Sequence, residues 1–372
     1  MWQGRRPGRA PAERVMGSSV RHEIMGTPEE AGPPGGERSS RRRGVGAWSR
    51  APEPAGVLNI NKPAGMTSHD VVQTVRKLLG LRRVGHTGTL DPQATGVLPL
   101  CVGRATKIAQ YLTQADKEYV LTLRLGIATD TQDAAGREVS RVEDVRVSRS
   151  EVEAVLPRFT GTIRQVPPLF SAKRVGGERL YHLARRGQVV ERAPVAVTIH
   201  ALDLLGMEGP CVRLRVHCSK GTYARALCDD IGRTLGVGGH LQDLVRTRSG
   251  RFALADALSL EALAERVQAG RLDEVLMPVG EALAHLPAVR VAPEASRAVM
   301  HGAALAAWGV VSFPAEITKG SLTRVLGYRR QLLSLAESTI DGHEFPGSDP
   351  RRIVLHTVRV FVGGAAHRTR PA

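Results

Sequence analysis

Four cysteines in 372 residues, none in a C-x-x-C pair, exclude a zinc ribbon and a disulfide framework. Cys101, Cys211, Cys218 and Cys228 sit in apolar strand-like or helical contexts and read as small buried residues of a reducing compartment. No apolar run approaches the roughly 18 residues that a membrane-crossing helix needs. The amino terminus lacks the apolar core of a signal peptide, so the expected location is the cytoplasm. Also missing are the G-x-x-x-x-G-K-[ST] phosphate loop, the G-x-S-x-G elbow and the H-E-x-x-H zinc helix. The twelve histidines are scattered. Nucleotide hydrolysis and metal catalysis are disfavoured on these grounds.

Charge is present in excess of one sign. Lys and Arg number 52 against 36 Asp and Glu, a net charge of +16. Residues 1–54 hold ten Arg against six Glu, so most of the surplus belongs to the rest of the chain. A body this basic fits a polyanionic partner, most simply nucleic acid. Residues 1–54 themselves are rich in Arg, Gly, Pro and Ser without aliphatic periodicity, and read as a disordered basic extension.

Order is expected from a short strand at residues 56–61, broken by Lys62-Pro63-Ala64-Gly65. A helix follows, with Ser68 as candidate cap, Val71, Val72, Val75, Leu78 and Leu79 on its apolar face, and Gly80 as stop signal. Residues 97–102 read as a buried strand and 106–112 as a short helix. Residues 118–126 alternate, with Tyr119, Leu121, Leu123 and Leu125 on one face. The acidic stretch 130–136 misses the spacing of a calcium loop and reads as a solvated hairpin. Ser148 and Glu151 form a capping box. Strands are expected at 195–205 and 211–218, then a helix from Thr222, with further helices at 258–268 and 279–286. Beyond Arg290, strand-like runs at 321–328 and 352–362 point to a small appended β-rich domain. Helices and strands mix without regular βαβ alternation, so the expected class is α+β.

The most informative stretch is Gly85-His86-Thr87-Gly88-Thr89-Leu90-Asp91-Pro92-Gln93-Ala94-Thr95-Gly96. Asp91 is the only carboxylate between Asp70 and Asp116, and Arg82, Arg83, His86 and Arg104 surround it in sequence. An isolated Asp-Pro is ordinarily a turn with a local Asx hydrogen bond. Its company changes that reading. Lys62-Pro63 precedes it, and Lys117-Glu118-Tyr119, Ser219-Lys220-Gly221-Thr222-Tyr223-Ala224-Arg225 and Leu244-Val245-Arg246-Thr247-Arg248 follow. Together, in this order and over about residues 56–260, these segments resemble the TruB family of tRNA pseudouridine synthases.

The resemblance implies a pseudouridine-synthase fold: a mixed, largely antiparallel sheet flanked by helices, at residues 55–287. A small PUA-like β domain would follow at 288–372. The implied activity is isomerisation of the T-loop uridine of tRNA, position 55 in tRNA convention, without cofactor or metal and without an obligate protein partner, by a monomer. Asp91 would be the nucleophile, with attack on the base, attack on the sugar and assistance to the departing base all left open. The target base must leave its stack, at a cost of a few kcal/mol. Tyr119, which alone would read as a core tyrosine, becomes the platform for the flipped base. Arg225 becomes the cation that keeps Asp91 ionised in an enclosed site. Tyr223 and Leu244 would wall the pocket, Arg246 would be a further pocket residue, and His86 would meet the RNA beside the flipped uridine. Lys62 and Pro63 would brace the Asp91 loop.

The stretch Gln165-Val166-Pro167-Pro168-Leu169-Phe170-Ser171 matches as well, and about 169–193 resembles a mobile thumb. Its Lys173, Arg174, Arg179, Arg185 and Arg186 would meet phosphates, contacts that position RNA without specifying it. Two other readings stand beside this one. A guide-RNA-dependent relative of the dyskerin type shares the motifs, but the thumb-like insertion and the lack of long Lys-rich tails argue against it. A non-catalytic RNA chaperone would not need Asp91, Tyr119 and Arg225 together.

Overall fold

The computed structural model describes residues 53–168, 174–175, 178–179, 186 and 191–361. Residues 1–52, and with them nearly all of the expected extension, lie outside the described residues, as do Lys173 and Arg185.

A nine-stranded sheet carries the Asp91 loop. Its main path runs Gly56–Lys62, Thr95–Val102, Gly239–Ser249, Lys117–Leu125, Cys211–Cys218, Val195–Glu208, Gly161–Gln165. Val84–His86 pairs with Thr95–Val102 off that path. The alternation read at residues 118–126 has its expected consequence: Leu121, Leu123 and Leu125 are buried with Val212, Leu214 and Val216 against Leu227 and Ile231 of the Ala224–Thr234 helix. At the other end Leu58, Ile60, Leu98 and Leu100 pack on Val71, Val72 and Val75 of the Ser68–Leu79 helix. Neighbours on the main path are antiparallel except Thr95–Val102 and Gly239–Ser249, which are parallel and set Gly96 opposite Arg246. This contact has no room for a side chain. A Cβ on Gly96, whose φ is +100°, would lie 2.3 Å from the Arg246 carbonyl oxygen.

A second, six-stranded sheet has the order Leu305–Ala306, Ile353–Val360, Leu332–Ser338, Leu322–Leu326, Ala288–Val291, Val310–Ser312. Its central strand, Leu332–Ser338, has buried residues on both faces and so lacks the alternation that marks a strand in sequence. Leu335 packs into one cluster with Val57, Val97, Cys101 and Leu112, which joins the second sheet to the first.

Local chemistry departs from expectation at several places: Lys62 continues the first strand, and the helix expected at 279–286 is the short Val279–Ala282. Thr67, not Ser68, caps the first helix, in a capping box with Asp70. Residues 103–108 form a 3-10 helix before a single α turn at Ala109–Thr113. The helix expected from Thr222 begins at Ala224, because the Thr222 hydroxyl donates back to the Ser219 carbonyl.

Candidate active site

The Asp91 loop is held from three sides. Ser68, released from capping, has its Oγ 2.8 Å from the Leu90 amide, which donates to it, and 3.1 Å from the Leu90 carbonyl, to which it donates. Lys62 is fully buried, and its Nζ donates to the carbonyls of Pro63 at 2.7 Å and Pro92 at 3.0 Å. Burial lowers its pKa to about 8, with the nearby Asp91 charge opposing the fall. Arg246, 1% exposed, lies beneath the loop. Its Nε donates to the Val97 carbonyl at 2.6 Å, Nη2 to Gly88 at 3.2 Å and Nη1 to Thr89 at 3.4 Å. A guanidinium with three carbonyls in fixed directions holds a loop more firmly than an ammonium could. Arg246 thus holds the loop through backbone carbonyls, and its guanidinium also hydrogen-bonds the Tyr119 side chain.

Asp91 projects from this frame toward Arg225. Arg225 Nε is 3.0 Å from Asp91 Oδ2, and Nη2 donates to Oδ1 at 3.3 Å, a two-point contact between planar groups. The Arg225 side chain is 8% exposed and that of Asp91 41%, so the carboxylate stands at the mouth of the site with its cation behind it. Arg225 Nη1 also lies 3.5 Å from Asp133 Oδ2. Asp133 belongs to the stretch read as a solvated hairpin. The hairpin is there, Ile127–Thr129 pairing antiparallel with Glu138–Arg141, but its turn is not free in solvent: the Gln132 carbonyl accepts from the Leu241 amide and the Ala134 amide donates to the Leu241 carbonyl, clamping it to the Gly239–Ser249 strand. Nothing in its spacing marks Asp133 for the site; tertiary pairing brings it there.

Burial pushes the Asp91 carboxyl above its ordinary value; Arg225 pulls it down, Asp133 pushes it up, and Lys62 pulls it down. Tyr119, partly buried against the core and opposite Arg246 across the strands, has its phenol pushed up by burial, so it stays protonated at neutral pH.

The other expected site residues are distributed around this pair. Tyr223 precedes the Ala224–Thr234 helix, and Gln165, to which the motif assigns no role, clamps it: its Oε1 accepts from the Tyr223 amide at 3.0 Å and its Nε2 donates to the Tyr223 carbonyl at 3.3 Å. Leu244 is partly buried and lines a cavity of about 380 Å³ with Gln93, Thr95, Ala134 and Asp243, immediately beside the Asp91 loop. His86 is partly buried, and its Nδ1 accepts from the Gly88 amide, which places a ring proton on Nε2 when the imidazole is neutral. Arg174 and Arg179 fall on a two-stranded pair, and Arg186 is exposed, 2.6 Å from Glu178. Surface pairs of that kind contribute about 0–1 kcal/mol. A larger concavity, about 780 Å³, lies between Leu156, Gly161 and Leu202. Its two acids, Glu153 and Asp203, are paired with Arg149 and Arg215, so it holds no group poised for reaction.

Lys62→Met should strip two carbonyls of their buried donor, at about 1–3 kcal/mol. The expected result is a melting temperature several degrees lower, read by thermal denaturation. A transition unmoved would show that Lys62 does not hold the loop.

Residues 76–224 match the model of the TruB family pseudouridylate synthase (N terminal domain), and residues 225–284 that of the tRNA pseudouridylate synthase B C-terminal domain. The chain is 46% identical to tRNA pseudouridine synthase B of Pseudomonas aeruginosa over 81% of its length and 96% of the relative. It is 51% identical to that of Symbiobacterium thermophilum over 68% of its length and 84% of the relative. Among solved structures, a Cbf5-Nop10-Gar1 complex contains a chain with TM-score 0.67 and 32% identity, covering 82% of this chain and 84% of that one.

Proposed function

The chain belongs to the TruB family of pseudouridylate synthases, and on that footing we propose that it converts uridine 55 in the T-loop of tRNA to pseudouridine with Asp91 as its catalytic carboxylate. The observation that carries this reading is the two-point Arg225–Asp91 contact, with Tyr119 near enough for its phenol to feel the Asp91 charge. In the isomerisation the bond from uracil N1 to the ribose C1′ breaks and one from C5 to C1′ forms. The C5 proton leaves and N1 takes one up, so no oxidant, reductant or cofactor is required. Asp91 can serve this exchange only when ionised, and Arg225 favours that form against the cost of burial. The base reaches Asp91 only after leaving its stack, a cost of a few kcal/mol that stacking on Tyr119 offsets. We assign His86 to the RNA beside the flipped uridine, Tyr223 and Leu244 to the pocket wall, and Lys62 and Arg246 to holding the loop. Lys173, Arg174, Arg179, Arg185 and Arg186 are assigned to phosphates.

We take the enzyme to act alone, as a monomer in the cytoplasm, since its identity to relatives named for tRNA exceeds its likeness to chains of guide-RNA complexes. No helix among the described residues is long and apolar enough to cross a membrane. Purified protein and unmodified tRNA transcript carrying tritium at uracil C5 test this directly. Tritium should pass to water with nothing else added. No release until a guide RNA and its proteins are supplied would sink the stand-alone reading.

Asp133 allows a second test. Its negative charge raises the Asp91 pKa, so Asp133→Asn should lower it and carry the acid limb of the kcat/KM profile to lower pH. The sign is fixed: the active form is the carboxylate, and activity is lost as pH falls through its pKa. A limb that moved upward would show that Asp133 acts chiefly by steadying Arg225.

A further inference from the structure

Two parts of the chain must meet for Arg225 to reach Asp91, and they are secured by different means. Ser68, Lys62 and Arg246 fix the Asp91 loop. Arg225 is the second residue of the Ala224–Thr234 helix, so its place follows from how the first turn of that helix is seated. Leu227 and Ile231 bury one face of the helix in the core. Near its far end a Cβ on Gly232 would come within 2.4 Å of the Gly239 nitrogen. These contacts hold the middle and end of the helix. The first turn has no cap of its own, since Tyr223, the residue ahead of it, makes no side-chain capping hydrogen bond.

A residue from the sheet supplies what is missing. Gln165 is fully buried and ends the Gly161–Gln165 strand, opposite Val195. Its side-chain amide spans residue Tyr223: Oε1 accepts from the Tyr223 N–H at 3.0 Å and Nε2 donates to the Tyr223 carbonyl at 3.3 Å. That carbonyl also accepts from the Leu227 amide at 3.1 Å, the first hydrogen bond of the helix. The same strand pair holds the start of the turn. Thr198, opposite Thr162, accepts at its carbonyl from the Ser219 amide at 2.8 Å, and its own amide donates to Ser219 Oγ at 2.9 Å. Residues 219–223 are therefore bound at both ends to one strand pair, with Gln165 the last link, two residues before Arg225. A buried amide is costly unless its polar atoms are paired, whereas an apolar side chain would fill the same space without that cost.

We propose that Gln165 is a positioning residue for the reaction, seating the first turn of the Ala224–Thr234 helix so that Arg225 meets both oxygens of Asp91. That this sets a rate rests on the function proposed above; the seating itself rests on the hydrogen bonds. Gln165 touches neither Asp91 nor Arg225 directly and acts through the backbone of Tyr223.

Gln165→Met, unbranched and of similar length, removes both hydrogen bonds. In single-turnover kinetics with saturating tRNA the rate should fall about 10- to 100-fold, the scale on which a misplaced group is felt. The dissociation constant for tRNA should change by less than about threefold, because the loss lies in the reacting geometry. In an Arg225→Met background the same substitution should cost less than about twofold more, since the residue through which Gln165 acts is already gone. Gln165→Asn keeps the amide one methylene short, and serves in the same assays if the methionine variant does not fold. A full rate with only a lowered melting temperature would make Gln165 a structural residue and overturn the proposal. Losses that multiply in the double variant would also overturn it, because Gln165 would then act elsewhere.

A second readout needs no activity. Asp91 feels Arg225 and Lys62, which pull its carboxyl down, and Asp133, which pushes it up. In RNA-free protein carrying carbon-13 aspartate, the Asp91 resonance is identified by its loss in Asp91→Asn. Its titration midpoint should rise in Gln165→Met, by less than in Arg225→Met. An unmoved midpoint would overturn the seating role. If the unaltered protein formed no pseudouridine, the proposed function would fall, and a raised midpoint would still uphold the seating of Arg225 by Gln165.

Discussion

Asp91→Asn is expected to lower the rate of pseudouridine formation by at least about 10⁴-fold, the scale on which removal of a reacting group is felt. Binding of tRNA should stay within a few-fold, because the basic surface and Tyr119, the proposed platform, are untouched. Stability should hardly move. Burial makes the ionised carboxyl costly in the folded protein, and Arg225 only partly offsets that cost. A carboxyl whose pKa rises on folding contributes stability at low pH and detracts from it at neutral pH. The amide, which carries no charge, removes that penalty while keeping an acceptor for Arg225. A melting temperature within about 2 °C of the unaltered protein corresponds to about 1 kcal/mol. Turnover surviving at a tenth of the original rate would show that the nucleophile is misassigned.

Arg225→Met should also be severe, with a rate loss on the order of 10²-fold or more, comparable to losing an electrostatic donor elsewhere in catalysis. The physical cause is specific. Arg225 places Nε and Nη2 on the two oxygens of Asp91 while Nη1 faces Asp133. Removing it leaves two acidic groups without their shared cation, so the Asp91 pKa rises further and the acid limb of the rate profile should move to higher pH. Arg225→Lys keeps the charge but cannot span both oxygens, and should recover only a minor part of the rate. Single-turnover kinetics with saturating tRNA, repeated across pH, checks both statements. Unchanged kinetics in the methionine variant would take Arg225 out of the site. A full rescue by lysine would show that charge alone, without the fork, is what Asp91 needs.

How far the sequence discloses this arrangement varies residue by residue, for physical reasons. Leu121, Leu123 and Leu125 announce their strand because one face is core and the other is not. Leu332–Ser338 does not, since burial on both faces erases the period. Ser68 has the right chemistry for a cap, yet Thr67 with Asp70 caps the helix and Ser68 serves Leu90 instead, a choice only the tertiary position of the loop decides. The loop around Asp91 is conspicuous through its glycines and its lone carboxylate, and Gly96 is there because the parallel strand passes too close for a Cβ. Asp133 and Gln165 carry no such signal. One reaches Arg225 through a hairpin clamped onto Leu241, and the other reaches Tyr223 from a strand 58 residues away in sequence. Arg246 is visible as part of a motif, but its work, three backbone carbonyls held from below, is a property of the fold.

Whether Asp91 acts at one uridine is tested most directly by position-resolved mapping of pseudouridine in a tRNA transcript treated with the purified protein. The expected product is a single pseudouridine at position 55 with the unaltered chain and none with Asp91→Asn. Pseudouridine at the same position with the variant, or modification confined to other uridines, would contradict it.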